Sequence, residues 1–180
     1  MRIIGGTLKG RQLNAPKNLP VRPTTDYAKT GLFNILDHAL EISSCEVLDL
    51  FAGTGSIGLE FASRGAKAVT SVDQNYLSYK FIRDTLTQYN LKNLRAQKYD
   101  VFKFLKSCSF QYDIIFADPP YQIEDIERVP EMIFSNNLLK PDGILILEHS
   151  FDREIKYSDH FKEKRTYGNV AFSFFQISKT

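Results

Sequence analysis

The stretch Val47–Gly58 constrains the fold of this 180-residue chain more than any other. An apolar run ends in a loop of small residues, and the loop opens into an amphipathic segment. This pattern is typical of a buried parallel strand, a tight turn and the start of a helix. Gly53 and Gly55 permit a positive φ and leave room for a ligand beside the backbone. An ordinary strand–turn–helix connection without a ligand explains the pattern equally well. The rest of the chain must therefore distinguish a ligand-binding loop from an ordinary connection.

Strand and helix patterns alternate along most of the remaining chain, which predicts a doubly wound α/β fold. The predicted parallel strands are Glu46–Phe51, Ala68–Val72, Leu94–Tyr99, Asp113–Ala117 and Gly143–Glu148. The predicted helices run from Thr24 or Thr25 to Leu40, then over Ser56–Arg64, Gln74–Asn90, Val101–Leu105 and Ile126–Asn136. Strand patterns at Phe161–Tyr167 and Asn169–Ser178 flank a turn and predict an antiparallel hairpin. We therefore expect a Rossmann-like, mostly parallel, seven-stranded sheet that ends in this hairpin.

The first 22 residues are basic and rich in Gly and Pro, and we predict that they form a small β-ribbon appendage. This segment is too short to form a core of its own, so residues 23–180 are predicted to form the main domain. Residues 1–25 contain no acid. This charge suits a polyanion such as nucleic acid, although a solvated surface explains it equally well. The candidate RNA-binding residues are Arg2, Lys9, Arg11 and Arg22.

Composition narrows the class of protein. Hydrophobic residues make up 43% of the chain, but no run approaches the roughly 18 apolar residues of a membrane span. The N-terminus lacks the apolar region of a signal peptide. Cys45 and Cys108 show no metal or redox spacing. We expect a cytoplasmic monomer without a membrane segment or a bound metal.

Carboxylates follow the predicted strands on either side of the glycine loop. Asp73 lies 20 residues beyond Gly53, where an acid can accept the ribose hydroxyls of a nucleoside. Asp100 can accept a hydrogen bond from an adenine amino group, and each aspartate can equally cap the helix that follows it. Gln74 and Val101 are their neighbours at the predicted site. The loop lacks the Gly-Lys-Ser/Thr end of a P-loop, whereas the glycine spacing leaves a nicotinamide dinucleotide open.

Asp118-Pro119-Pro120-Tyr121 is the most specific signal in the chain. Two prolines fix the backbone at the end of a strand and remove their N–H groups. The Asp118 carboxylate and the Pro119 carbonyl can then accept both hydrogens of an aryl amine, which directs its lone pair toward an electrophile. Tyr121 can stack on a base that is flipped out or single-stranded. The segment predicts methylation of an exocyclic amine, with no metal required.

The chain resembles a known family along nearly its whole length. Asp49–Gly55 resembles motif I of the class I S-adenosylmethionine (SAM) methyltransferases, and Asp118–Tyr121 resembles the D/N-P-P-Y/F motif of amino-methyltransferases. Met1–Gly6, Lys9–Arg11, Arg22–Asp26, Leu32–Leu36 and Arg165–Gly168 resemble the RsmD family of bacterial 16S rRNA guanine-N2 methyltransferases.

The resemblance implies an activity and a set of site residues. The activity is methylation of a guanine N2 amine in 16S rRNA, on a 30S subunit or an assembly intermediate. The implied catalytic residues are Asp118, Pro119, Pro120 and Tyr121. The residues predicted to bind SAM are Thr24, Asp26, Asp49, Phe51, Ala52, Gly53, Thr54, Gly55, Asp73, Gln74, Asp100 and Val101.

Three other functions remain open on the sequence. A DNA adenine-N6 or cytosine-N4 methyltransferase shares the Asp118–Tyr121 motif, but such enzymes generally carry a target-recognition insertion. A ribosome assembly factor that binds SAM or RNA without turnover would leave Asp118 and Tyr121 unused. A nicotinamide-dependent oxidoreductase would leave the whole Asp118–Tyr121 segment unexplained.

Overall fold

A single seven-stranded sheet forms the centre of the computed structural model, which describes residues 1–16, 18–19, 24–156 and 159–177. The strand order is β3-β2-β1-β4-β5-β7-β6. Strands β1 to β5 pair in parallel, and β7 lies antiparallel between β5 and β6. The strands are β1 (Glu46–Leu50), β2 (Ala68–Asp73), β3 (Leu94–Lys98), β4 (Tyr112–Ala117), β5 (Leu139–Ser150), β6 (Phe161–Tyr167) and β7 (Val170–Gln176). The predicted mostly parallel sheet with a C-terminal hairpin is confirmed.

Five α-helices connect or precede the strands. They are α1 (Asp26–Ala39), α2 (Ser56–Ser63), α3 (Tyr76–Gln88), α4 (Val101–Ser107) and α5 (Arg128–Ser135). Thr25 caps α1 by accepting a hydrogen bond from the N–H of Ala28, as its sequence position predicts. Among the residues that the structure describes, no helix combines the length and the apolar character needed to cross a membrane.

Several predicted boundaries are wrong by a few residues, mainly where a strand meets its loop. Phe51 and Tyr99 lie outside β1 and β3, because the chain already turns there toward the loops that follow. Strand β5 is longer than predicted and reaches from Leu139 to Ser150. Its additional residues pair with Tyr112 of β4 and with Val170 of β7, which the apolar pattern of the strand alone does not reveal.

Side chains alternate between the two faces of the sheet and build a core on each. On β4, Ile114 and Phe116 face the core shared with α1, α2 and α3. Ile115 and Ala117 face the opposite core, which α4 and α5 cover. The chain thus winds on both faces of the sheet, and the winding direction changes between β1 and β4. In such folds this switch point is where ligands bind.

The N-terminal segment packs closely against α1 and α2. Its two legs meet in an isolated antiparallel bridge between Arg2 and Gln12, joined by a short 3-10 turn over Gly6–Leu8. Ile3 and Leu13 are buried in the core shared with α1. The predicted domain boundary after residue 22 stays a prediction, since residues 20–23 lie outside the described part of the chain.

Close packing explains the glycine inside α1. A Cβ atom at Gly31 would lie 2.1 Å from the Cε1 atom of Tyr167, the last residue of β6. The Tyr167 ring also packs against Phe172, with centroids 5.8 Å apart, and against Tyr27 at 5.7 Å. Gly31 therefore lets the hairpin approach α1 closely, which holds the start of α1 beside the end of the sheet.

Candidate active site

A cleft of about 580 Å³ opens at the carboxyl ends of β1, β2, β3 and β4, across the switch point of the sheet. Most of the predicted site residues line it. These are Thr24, Asp49, Phe51, Ala52, Gly53, Thr54, Asp73, Gln74, Asp100, Val101, Asp118, Pro119, Pro120 and Tyr121. The cleft thus brings the glycine loop and the Asp-Pro-Pro-Tyr segment to one place, although they are far apart in the sequence.

Two residues that were predicted to bind the cofactor do not line the cleft. Asp26 lies at the start of α1 and forms an ion pair with Arg2, with 3.1 Å between its Oδ2 and the arginine Nε. Gly55 precedes α2 in a left-handed conformation and faces Ile82 rather than the cleft. Their assignment to the cofactor stays a prediction.

The basic side chains of the N-terminal segment make different contacts, although the fold-back brings Arg2 and Arg11 close together in the backbone. Arg2 lies at the start of α1, next to Asp26. The Arg11 guanidinium lies 5.9 Å from the ring centroid of Tyr89, beyond the last residue of α3. Helix α3 has 13 residues, so this end lies roughly 20 Å from the end beside the cleft. Lys9 follows the 3-10 turn that packs on the last residue of α2, also away from the cleft. Arg22 lies outside the described residues.

The glycine loop turns at its two glycines, as the sequence predicts, but it also contains a non-glycine residue with a positive φ that the sequence does not predict. Gly53 and Gly55 have φ angles of 54° and 71°, which only glycine adopts at no steric cost. Phe51 also has a positive φ of 56°. Such a conformation costs a non-glycine residue about 1–3 kcal/mol and occurs preferentially at functional sites. The Phe51 ring lines the cleft and meets Phe102 edge to face, with centroids 6.0 Å apart.

Asp73 organises the loop that faces it. Its Oδ2 accepts a hydrogen bond of 2.8 Å from the N–H of Gly53, and its Oδ1 accepts one of 2.8 Å from the N–H of Asn75. Asn75, not Asp73, caps α3. The alternative that Asp73 is the helix cap is therefore wrong. Each carboxylate oxygen keeps a second lone pair for a ligand.

Asp100 does cap a helix. Its Oδ1 accepts a hydrogen bond of 2.9 Å from the N–H of Lys103 in the first turn of α4. Because Asp100 also lines the cleft, its second carboxylate oxygen remains for a ligand. The capping role and a ligand-binding role are compatible at this position.

Asp49 is almost completely buried at the end of β1. Its Oδ2 accepts hydrogen bonds from the N–H of Gly58 at 3.1 Å and from the hydroxyl of Ser71 at 3.0 Å. Burial raises the pKa of Asp49 to about 7, since desolvation penalises the charged carboxylate more than these two bonds favour it. The aspartate fixes the first turn of α2 against β2 and so shapes the floor of the cleft.

Asp118 follows β4 and is partly buried at the cleft, where its N–H donates to the carbonyl of Leu50 at 3.3 Å. Burial raises the pKa of Asp118 well above its ordinary value, and the negative charges of Glu148 and Asp49 raise it further. Pro119 is buried and anchors the turn, whereas Tyr121 is 48% exposed. The turn thus presents an aromatic ring beside a carboxyl group that is costly to ionise.

Glu148 lies beside the site, next to Asp118, and was not predicted from the sequence. This glutamate lies near the end of β5 and is buried, and its Oε2 accepts a hydrogen bond of 2.7 Å from the hydroxyl of Thr24. Burial raises the pKa of Glu148 to about 7, while the bond from Thr24 opposes that shift. Its position at the end of a predicted strand, next to the strand that carries Asp118, was the signal that could have found it.

Other lining residues were also missed. They are Ser56, Ile57, Asn75, Phe102, Phe116, Gln122 and Ile123. Most of them directly follow a predicted site residue, so extending each strand-end loop by one or two positions would have found them. None of the described residues that line the cleft is Lys or Arg, so its electrostatic character is set by carboxyl groups.

A buried lysine ties the N-terminal segment to the cleft. The Lys29 ammonium donates to the carbonyl of Arg2 at 2.5 Å and to the hydroxyl of Ser56 at 3.2 Å. It also pairs with the Glu60 carboxylate at 3.4 Å, and both side chains are completely buried. Burial lowers the pKa of Lys29, although the charge of Glu60 opposes this shift. Lys29 falls at helical spacing with Leu32 and Leu36, on the apolar face of α1. The sequence alone could therefore have indicated a buried charge at this position.

Side chains that could together bind a metal ion do not form a cluster in the described part of the chain. No cluster of three or more His, Cys, Asp or Glu side chains there could hold a metal ion.

Comparisons with known proteins identify the family of this chain. A family model described as "Conserved hypothetical protein 95" matches residues 1–176. The Haemophilus influenzae protein named Ribosomal RNA small subunit methyltransferase D is 32% identical, over 98% of this chain and 93% of that protein. The Escherichia coli K12 protein of the same name is 29% identical, over 98% of this chain and 89% of that protein.

Solved structures give the same result. The chain superposes on the candidate methyltransferase yhhF of Escherichia coli with a TM-score of 0.88 and 26% identity, over 100% of this chain and 99% of that one. A candidate methylase of Haemophilus influenzae gives a TM-score of 0.80 and 29% identity, over 97% of both chains.

The sheet order, the glycine loop after β1 and the Asp-Pro-Pro-Tyr turn after β4 define a class I SAM-dependent methyltransferase. The match to the family model over residues 1–176 assigns the chain to one family within this class. The chain belongs to the family of conserved hypothetical protein 95, the RsmD family. The resemblance found in the sequence is thereby confirmed.

Proposed function

We propose that this protein transfers a methyl group from SAM to the exocyclic N2 amine of a guanine in small-subunit (16S) ribosomal RNA. It does so as a cytoplasmic monomer that acts on the 30S subunit or on an assembly intermediate. The observation that carries the proposal is the placement of Asp118–Tyr121 in the same cleft as the glycine loop. The names of the Haemophilus influenzae and Escherichia coli relatives support the RNA substrate.

The described residues of the cleft fit SAM. Asp73 and Asp100 each offer a carboxylate oxygen for the hydroxyls and the amino group of a nucleoside. The carboxyl groups of Asp49 and Asp118 in the cleft wall favour a cation, because their raised pKa values reflect burial and no described lining residue is Lys or Arg. SAM has a positively charged sulfonium group and supplies an electrophilic methyl group when it is bound.

The Asp-Pro-Pro-Tyr turn then orients the amine. The nitrogen of an aryl amine is a poor nucleophile, since its lone pair is delocalised into the ring. The Asp118 carboxylate and the Pro119 carbonyl accept the two amine hydrogens, and Tyr121 stacks on the base. The lone pair is held toward the methyl group, so that positioning and electrostatics supply most of the catalysis.

A proton must leave the nitrogen once the new N–C bond has formed. Asp118 is the acceptor that the geometry favours, because it already holds an amine hydrogen. Its raised pKa makes it a stronger base than an ordinary aspartate, provided that it starts ionised. The positive charge of the sulfonium favours that ionised form.

One experiment separates the proposed activity from its alternatives. Methyl transfer from radiolabelled SAM is measured with purified rRNA, 30S particles and DNA in parallel, followed by nucleoside analysis. We expect N2-methylguanosine in RNA or in 30S particles. N6-methyladenine or N4-methylcytosine in DNA would replace the proposal with a DNA methyltransferase. SAM binding without transfer to any of the three substrates would favour a non-catalytic assembly factor.

The basic N-terminal segment provides a prediction about RNA. We expect the double substitution Lys9→Gln and Arg11→Gln to weaken RNA binding and to reduce the slope of log K against log salt by about 2, since each phosphate contact contributes about one unit. Binding is measured by filter retention across a series of salt concentrations. A matched control, Lys103→Gln with Lys106→Gln on the exposed surface of α4, removes the same charge elsewhere. An equal slope in both double variants would remove the segment from the RNA interface.

A further inference from the structure

The loop between Tyr121 and α5 carries the aromatic ring that faces the target base, yet it has no regular secondary structure. Its described backbone forms a turn in which the N–H of Ile123 donates to the carbonyl of Pro120 at 2.9 Å. Tyr121, Gln122 and Ile123 all line the cleft. Tyr121 itself is 48% exposed. The backbone of this loop must be fixed if the ring is to meet a base in one orientation.

Arg153 supplies that constraint from the segment that follows β5. One of its terminal nitrogens, Nη1, donates to the carbonyl of Tyr121 at 3.3 Å. The other, Nη2, donates to the carbonyl of Ile123 at 2.5 Å and to that of Glu124 at 2.8 Å. A single guanidinium thus holds three carbonyls of the loop. These carbonyls are acceptors that no helix or strand of the described chain satisfies.

The segment that carries Arg153 is itself anchored. The N–H of Arg153 donates to the carbonyl of Ser150, the last residue of β5, at 3.1 Å. Two residues further on, Ile155 is buried in the core beneath α5. The N–H of Lys156 donates to the Glu127 carboxylate at 2.9 Å, which joins the two loops a second time. The guanidinium therefore connects the Tyr121 loop to a segment that is tied to the end of β5.

We propose that Arg153 is a positioning residue for methyl transfer, which fixes the backbone of residues 121–124 so that Tyr121 holds the target base against Asp118. This inference rests on the proposed function. The planar guanidinium presents several N–H donors in a rigid fork that reaches carbonyls on both sides of a turn. A lysine ammonium carries the same charge but concentrates its donors on one atom, and it cannot span the three carbonyls in the same way.

The test compares Arg153→Lys, Arg153→Ala and a matched control, Lys156→Ala. The control removes a charge from the same segment but retains the backbone N–H that bonds to Glu127. Rates of methyl transfer to the RNA substrate are measured at saturating SAM, and the concentration of folded enzyme is determined by titration with S-adenosylhomocysteine. Hydrogen exchange of the amides at positions 121–124 is followed in the same proteins.

We expect kcat to fall about 100-fold in Arg153→Ala, the size of effect that a misplacement of about 1 Å produces. Arg153→Lys is expected to keep the KM for RNA within about 3-fold while its kcat falls at least about 10-fold. Both variants should exchange the loop amides faster than the wild type and bind S-adenosylhomocysteine normally. Lys156→Ala should match the wild type in kcat and in exchange.

Other results would overturn the inference in distinct ways. A raised KM with normal kcat in Arg153→Ala, rescued by Arg153→Lys, would make Arg153 a phosphate contact instead. An unchanged kcat per folded enzyme would leave it a purely structural residue. If the wild-type protein itself transfers no methyl group to RNA, the proposed function fails and the inference fails with it. If the wild type is active and the Arg153 variants equal Lys156→Ala, the inference alone fails.

Discussion

We expect the variant Asp118→Ala to lose methyl transfer, by at least about 100-fold in kcat, and still to bind SAM within a few-fold of the wild type. The loss is expected because, in the proposed reaction, Asp118 accepts an amine hydrogen and stabilises the positive charge that develops on the nitrogen. Removing a single preorganised hydrogen-bonding group of this kind costs about 10²–10³ in kcat. Cofactor binding persists because Asp73 and Asp100, on other strand ends, remain in place. Single-turnover methyl transfer and calorimetric titration with S-adenosylhomocysteine measure the two quantities.

Two further variants sharpen this experiment. Asp118→Asn keeps one acceptor oxygen and loses the negative charge, so its rate should fall between those of the wild type and Asp118→Ala. Asp125→Ala removes an exposed carboxylate from the loop that follows Tyr121 and should leave the rate unchanged. Normal turnover by Asp118→Ala would refute the role given to the carboxylate. An equal loss in Asp125→Ala would show that the loop is sensitive to any loss of charge.

The sequence predicted the architecture because its signals are local and repeated. Several of the parallel strands contain a short apolar run, and a distinctive residue follows them, such as Gly53 after β1 or Asp118 after β4. The carboxyl ends of parallel strands meet at one edge of the sheet. Residues that follow the strands could therefore be assigned to one cleft, even without knowledge of the strand order.

What the sequence did not predict depends on contacts between distant segments. The positive φ of Phe51 follows from the path of the loop between β1 and α2, and no residue type announces it. The pairing of Thr24 with Glu148 joins positions 124 residues apart. The hydrogen bonds from Arg153 to the Tyr121 loop depend on where β5 ends, and the prediction ended this strand too early. The side chains of Arg2 and Arg11 contact Asp26 and Tyr89, although the fold-back of the N-terminal segment brings their backbones together, and charge counting cannot detect this arrangement.

The variant Lys29→Ala should lower the free energy of unfolding by about 3–5 kcal/mol, because it leaves Glu60 as a charge without its buried partner. Glu60 would keep its hydrogen bond from the N–H of Ile4 and its ion pair with Arg64, so we expect a loss near the lower end of this range. For a chain of this length, we expect the midpoint of thermal unfolding to fall by about 10 °C or more. Urea denaturation followed by circular dichroism gives the free energy directly.

A double variant and a control distinguish loss of the ion pair from loss of packing. Lys29→Met with Glu60→Gln removes both charges at similar volume and should recover more than half of the stability, since the cost lies in the unpaired charge. Lys80→Ala breaks an exposed ion pair with Asp84 on α3 and should shift the urea midpoint very little. If Lys29→Ala were as mild as Lys80→Ala, the Lys29–Glu60 pair would not hold the N-terminal segment against α2. The connection from Arg2 through Lys29 to Ser56 at the cleft would then have no energetic basis.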